Sequence, residues 1–136
     1  MVEVRTLHRA MRVPHVDVAR LVHAVARGEG VALVAVAVVL LGDRRMRQLN
    51  TQHLRHPWTT DVLSFLYEQR SGIDGEIVVN LDQARRQAPR FGATFREEVR
   101  RLVIHGMLHL TGYDDRTATE RVRMRRMEER YLSTSH

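Results

Sequence analysis

The chain has 136 residues, no cysteine and a formal net charge of +6, with a sequence pI near 11.1. This length is that of one domain, residues 1–136, with a real hydrophobic core. The lack of cysteine excludes disulfides, thiolate metal ligands and a cysteine nucleophile, and fits a reducing cytoplasm. The basic excess points to an acidic partner, with nucleic acid first. All 22 Lys+Arg residues are arginine. Isoleucine is scarce while valine and alanine abound, so the choice of arginine over lysine reads as composition bias.

Residues 2–7 read as a short strand. Residues 16–26 carry Val18, Leu21, Val22 and Val25 at helical spacing, with Gly28 and Gly30 ending the helix. Residues 31–41 are β-rich and unbroken, which predicts a central strand covered on both faces. That run is too short to span a membrane, and no signal-peptide pattern is read at the start of the chain. Asp43 is placed to cap a helix running through Leu49. Residues 61–67 and 76–81 are two further strands, separated by the polar segment 68–75, and a hairpin and separate strands are both open. Residues 82–88 are helical, closed by Pro89 and Gly92.

Thr94 and Glu97 make a capping box that opens a helix to about Thr111. Its first half is expected to keep Arg96, Glu97, Glu98, Arg100 and Arg101 on an outer face. From Leu102 onward nearly every residue except the histidines is apolar, so the helix drives from the surface into the core. Thr117 and Glu120 make a second capping box and open the last helix, residues 117–132. That helix is read as an amphipathic cover, with Val122, Met127 and Leu132 among arginines.

The most informative segment is His105-Gly-Met-Leu-His109-Leu-Thr-Gly112-Tyr-Asp-Asp115. Two histidines four apart lie on one helix face, one turn apart, and both imidazoles can reach one metal ion. A histidine in apolar surroundings needs a partner for its ring nitrogens, and a metal supplies one. Gly112 easily takes the left-handed conformation that ends a helix, which lets Asp115 turn back toward the same ion. A lone aspartate before a helix is usually an N-cap. The Thr117–Glu120 box makes Asp115 unnecessary for that task. Two imidazoles and one carboxylate leave a fourth position open, the pattern of a catalytic zinc.

These residues resemble the signature of the YbeY family, bacterial metal-dependent endoribonucleases of ribosomal RNA maturation. A second block, Leu49-Asn50, Arg55 and Thr60-Asp61-Val62-Leu63-Ser64-Phe65, is similar to that family's Leu-Asn…Arg…Thr-Asp-Val-Leu-Ser-Phe segment. A weaker third block is Gly75-Glu76-Ile77-Val78, against Gly-Asp-Ile in the family. The resemblance implies an α+β fold, a mixed sheet of about four strands packed with helices. The metal site would lie on a buried helix and the following loop. It further implies His105, His109 and the residue at position 115 as metal ligands, one Zn2+ as cofactor, and Arg55 as an active-site residue. The partners it implies are RNA, in particular ribosomal RNA and ribosomal subunits. The family's third ligand is normally histidine, and here it is Asp115. Thr59 replaces a family proline.

The function implied is a metal-dependent single-strand endoribonuclease acting in 16S 3′-end maturation and ribosome quality control, in the cytoplasm. Two other readings compete. One is a metal-stabilised RNA- or ribosome-binding factor with little catalysis. The other is a peptidase, because the His-x-x-x-His-x-x-Gly spacing also resembles the metzincins. Those enzymes carry a glutamate directly after the first histidine as general base, and this chain has Gly106 there.

Overall fold

The computed structural model describes residues 1–54 and 60–134. Four strands form one mixed sheet: β1 (Val2–Thr6), β2 (Leu33–Leu41), β3 (Val62–Glu68) and β4 (Ile73–Asn80), in the order β1-β2-β4-β3. β2 runs parallel to both β1 and β4, and β3 pairs antiparallel with β4. The two strands left open by sequence are therefore a hairpin. The α-helices are α1 (His15–Glu29), α2 (Asp43–Leu49), α3 (Leu81–Gln87), α4 (Phe95–Leu110) and α5 (Ala118–Thr134). This is the α+β architecture expected.

β2 is covered on both faces, as its unbroken apolar run requires. Val36, Val38 and Leu40 join the main core with α1, α3 and α4, while Val39 and Leu41 pack against Met46 of α2 and Val78 of β4. The run begins as strand only at Leu33. The Val31 amide donates to the Ala26 carbonyl and so closes α1. At the same end of the sheet, beside the start of β2, the pattern of β4 extends further than expected. Asp74 and Gly75 belong to β4 rather than to the preceding turn, because β2 and β3 supply ladder partners on either side. Tertiary pairing there overrides weak strand propensity.

Asp43 does not cap α2. Its amide is satisfied by the Asp82 carboxylate, 2.9 Å away on α3, and its own carboxylate takes a two-pronged ion pair from Arg86 at 2.7 Å. Asn80 ends β4 and caps α3, accepting from the Gln83 amide.

α4 lies at the centre of the molecule and packs on α1, α3, α5, β3 and β4. Its capping box forms as predicted, Thr94 Oγ1 accepting the Glu97 amide while the Glu97 carboxylate accepts the Thr94 amide. The expected outer face is corrected at Glu98, which is buried, and at Arg101, which is largely covered by α5. α5 covers the core with Met127 and Leu132 packed against it, as expected, and of the expected positions only Val122 is left out. Met124, Glu128 and Tyr131 face inward and Val122 is exposed, because three and four residues are the helical steps that keep side chains on one face. Among the described residues no helix is long and apolar enough to cross a membrane.

Candidate metal centre

The last turns of α4 carry His105 and His109 side by side, with their Nε2 atoms 3.1 Å apart. α4 ends at Leu110, and Gly112 takes φ +112°, a region that side chains other than glycine rarely enter. The chain reverses there, and the Tyr113 amide closes onto the Leu108 carbonyl. Asp115 is thereby brought back. Its Oδ2 stands 3.3 Å from His105 Nε2 and 3.4 Å from His109 Nε2. The neighbouring Asp114 is turned elsewhere, accepting the Asp115 amide and lying 3.4 Å from Arg116. Thr117 and Glu120 cap α5 reciprocally, so the Asp115 carboxylate is not spent on the helix start.

The three atoms fit one ion. Ligands at about 2.0–2.1 Å in a tetrahedron stand about 3.3–3.4 Å from one another, close to the three separations observed. Two nitrogens and a carboxylate oxygen are a donor set for a borderline divalent cation, and this is a group able to hold one. Such an ion would keep a face toward an open cleft of about 600 Å3. Thr60, Asp61, Val62 and Ser64, around the start of β3, form the facing wall.

Gly106, between the histidines, is there for contact. A Cβ at this position would meet Ile77 Cγ2 at 2.6 Å and Ser64 Oγ at 3.1 Å. The Ser64 hydroxyl donates to the Gly106 carbonyl at 2.9 Å. A glutamate side chain here would force Ile77 or Ser64 to shift, and the glycine present offers no base of the kind a metzincin-type peptidase needs.

Behind the ligands, Glu128 Oε2 lies 2.6 Å from His105 Nδ1. Glu128 also accepts from Arg101, whose guanidinium makes two bonds to Glu98. Burial would lower the pKa of Arg101, but the hydrogen bonds and charges of Glu98 and Glu128 outweigh it and raise the pKa above the ordinary value. None of these three was singled out from sequence, yet a signal existed. Glu98 shares the stripe 98, 102, 105, 109 with the histidines, and Glu128 interrupts an apolar stripe on α5. A carboxylate inside a buried stripe demands a partner. The remaining candidate, Arg55, lies outside the described residues, as does Thr59.

The fold and this site define a mixed α+β protein with a helix-borne group of two histidines and a carboxylate that could hold a metal ion. Residues 9–136 match the model of the family described as Endoribonuclease YbeY, and the chain belongs to that family. It is 39% identical over 128 residues to the "Endoribonuclease YbeY" of Chlorobium phaeovibrioides, covering 93% of this chain and 86% of that protein. It is 40% identical over 113 residues to that of Chlorobium luteolum, covering 83% and 82%. The solution structure of TM1509 from Thermotoga maritima superposes with a TM-score of 0.67 at 26% identity, covering 98% of this chain and 87% of that one.

Proposed function

We propose that residues 1–136 form a single catalytic domain, a metal-dependent endoribonuclease that cuts single-stranded RNA. Its setting is 16S rRNA 3′-end maturation and ribosome quality control in the cytoplasm, with ribosomal subunits as partners. The observation that carries the reading is the convergence of His105, His109 and Asp115 on one point at the open cleft, in a chain of this family. In this reading these three residues hold one Zn2+. A bound divalent ion supplies Lewis acidity toward a phosphate oxygen or water.

The residues of the chain do the rest. Both histidines turn Nε2 to the same point, and Asp115 turns a carboxylate oxygen to it. Among the described residues lining the cleft, three carboxylates (Asp61, Asp114 and Asp115) stand against one guanidinium, Arg116. That lining repels a phosphodiester until a cation balances it, which gives metal dependence an electrostatic reason. Arg55 is assigned to the scissile phosphate, offsetting charge that builds in the transition state.

The test is elemental analysis and single-turnover cleavage with protein purified without a histidine tag. About one ion per chain is expected, with RNA cleavage lost to chelator and restored by zinc. The His105→Ala/His109→Ala double variant should carry none. Equal, negligible metal in both proteins ends the metal reading, and retained metal with no cleavage favours the binding-factor reading. End-group analysis of the product separates attack by the 2′-hydroxyl, which leaves a cyclic phosphate, from attack by water.

A further inference from the structure

Two buried carboxylates, Glu98 and Glu128, and the partly covered guanidinium of Arg101 lie behind the metal centre on α4 and α5, and the ligand geometry alone does not account for them. Side-chain exposure is 1% for Glu98 and 5% for Glu128. Replacing such buried ion pairs by well-packed apolar residues is often neutral or stabilising, because desolvation of the charges is costly. Fold stability therefore gives no reason for carboxylates at these two positions. Both carboxylates share one guanidinium, that of Arg101. The free edge of this cluster is Glu128 Oε2, 2.6 Å from His105 Nδ1.

An ionised carboxylate only accepts hydrogen bonds. It therefore selects the histidine tautomer with hydrogen on Nδ1 and the lone pair on Nε2, the atom that faces His109 and Asp115. We propose that Glu128 is the positioning residue of the metal centre, orienting His105 for metal binding, and that Arg101, clamped by Glu98, holds Glu128 in place. The proposal rests on the metal reading above and assigns the buried cluster a task within it. The ring is held from behind by a side chain on a different helix, so docking of α5 completes the ligand set that α4 and the 112–115 turn begin. A cation on the far nitrogen of His105 would face Glu128 through the ring. Outer partners of this kind fix ring orientation and raise ligand basicity, and their loss typically costs about ten- to a hundredfold in metal affinity.

The experiment is zinc affinity of the full chain by competition with a chromophoric chelator, alongside circular dichroism and thermal unfolding. Glu128→Gln keeps the shape but loses the charge, and should weaken zinc binding about ten- to a hundredfold while the protein stays folded. Arg101→Met should weaken it in the same direction, with Glu128 in place but unheld. A purely structural role would lower thermal stability and leave the zinc affinity of the folded protein unchanged, which overturns the proposal. His105→Ala separates the two levels. Unchanged affinity in His105→Ala defeats the metal centre itself, whereas a loss there with none in Glu128→Gln defeats only the positioning role. A measurement on the parent protein covers the case in which the variants do not fold. Long-range 1H–15N spectra of the zinc-loaded chain should show the His105 proton on Nδ1, and metal on Nδ1 instead overturns the assignment.

Discussion

At 3.3 and 3.4 Å from the two imidazole nitrogens, the Asp115 carboxylate completes a triangle of ligand size although it is shorter than the family's histidine. Asp115→His should keep or tighten zinc binding, since it restores the usual donor. Asp115→Ala should weaken it by at least the roughly tenfold that loss of an outer-shell partner costs. Competition titration of both variants checks this, and equal affinities in all three proteins would remove Asp115 from the ligand set. Gly106 gives a test of packing at the same site. Ile77 is fully buried and has no room to retreat from a Cβ at 2.6 Å, so Gly106→Ala should cost about 1–3 kcal/mol of overpacking strain. A urea midpoint equal to that of the parent would show that α4 can lift from the sheet without penalty.

The start of α2 is served from another element, α3, and the α2–α3 junction shows a consequence. The Asp82 carboxylate on α3 accepts the Asp43 amide that opens α2 and lies 2.9 Å from His8 Nε2. The amides of Ala10 and Met11 both donate to His8 Nδ1, so the ring hydrogen is on Nε2 and points at Asp82. Burial would raise the Asp82 pKa, but the hydrogen bonds from His8 and the Asp43 amide outweigh it and hold the group below its ordinary value. A depressed carboxylate stabilises the fold above its unfolded pKa, and that contribution fades as pH falls through the lowered folded pKa. Urea midpoints of Asp82→Asn should therefore lie below the parent's at neutral pH. The gap should close as pH drops below the ordinary carboxylate range. A gap independent of pH would assign the loss to shape alone.

For the molecule as a whole, the charge of +6 belongs to the exterior and not to the described lining of the cleft, where carboxylates predominate. RNA affinity should fall with salt, by about 0.7 in log units per log unit of salt for each single-strand phosphate neutralised. Arg55→Ala should reduce single-turnover cleavage more than binding if Arg55 acts mainly on the transition state. Equal losses would make it a positioning contact, and no loss in either would leave it an ordinary loop arginine. Parallel binding and cleavage assays on one RNA decide between these.

Local patterns were legible wherever a short stretch of chain carries its own physical instruction. The capping boxes at Thr94 and Thr117 form as written, because their partners are three residues apart. The His105–His109 spacing and the Gly112 turn place Asp115 as read, because the distance from ligand to ligand is spanned by one helical turn and one reversal. The YbeY resemblance supplied the mixed sheet. Sequence left the β3–β4 pairing open, and periodicity alone does not choose a strand's neighbour. What needed the tertiary structure were contacts between distant elements: Glu128 with His105, twenty-three residues away, and the Asp82 carboxylate serving α2. Burial of Glu98 and of Glu128 belongs to the same group. A charged residue on a helix reads as solvent-facing until another helix covers it, and the surface α5 covers is a property of packing and not of any window of sequence.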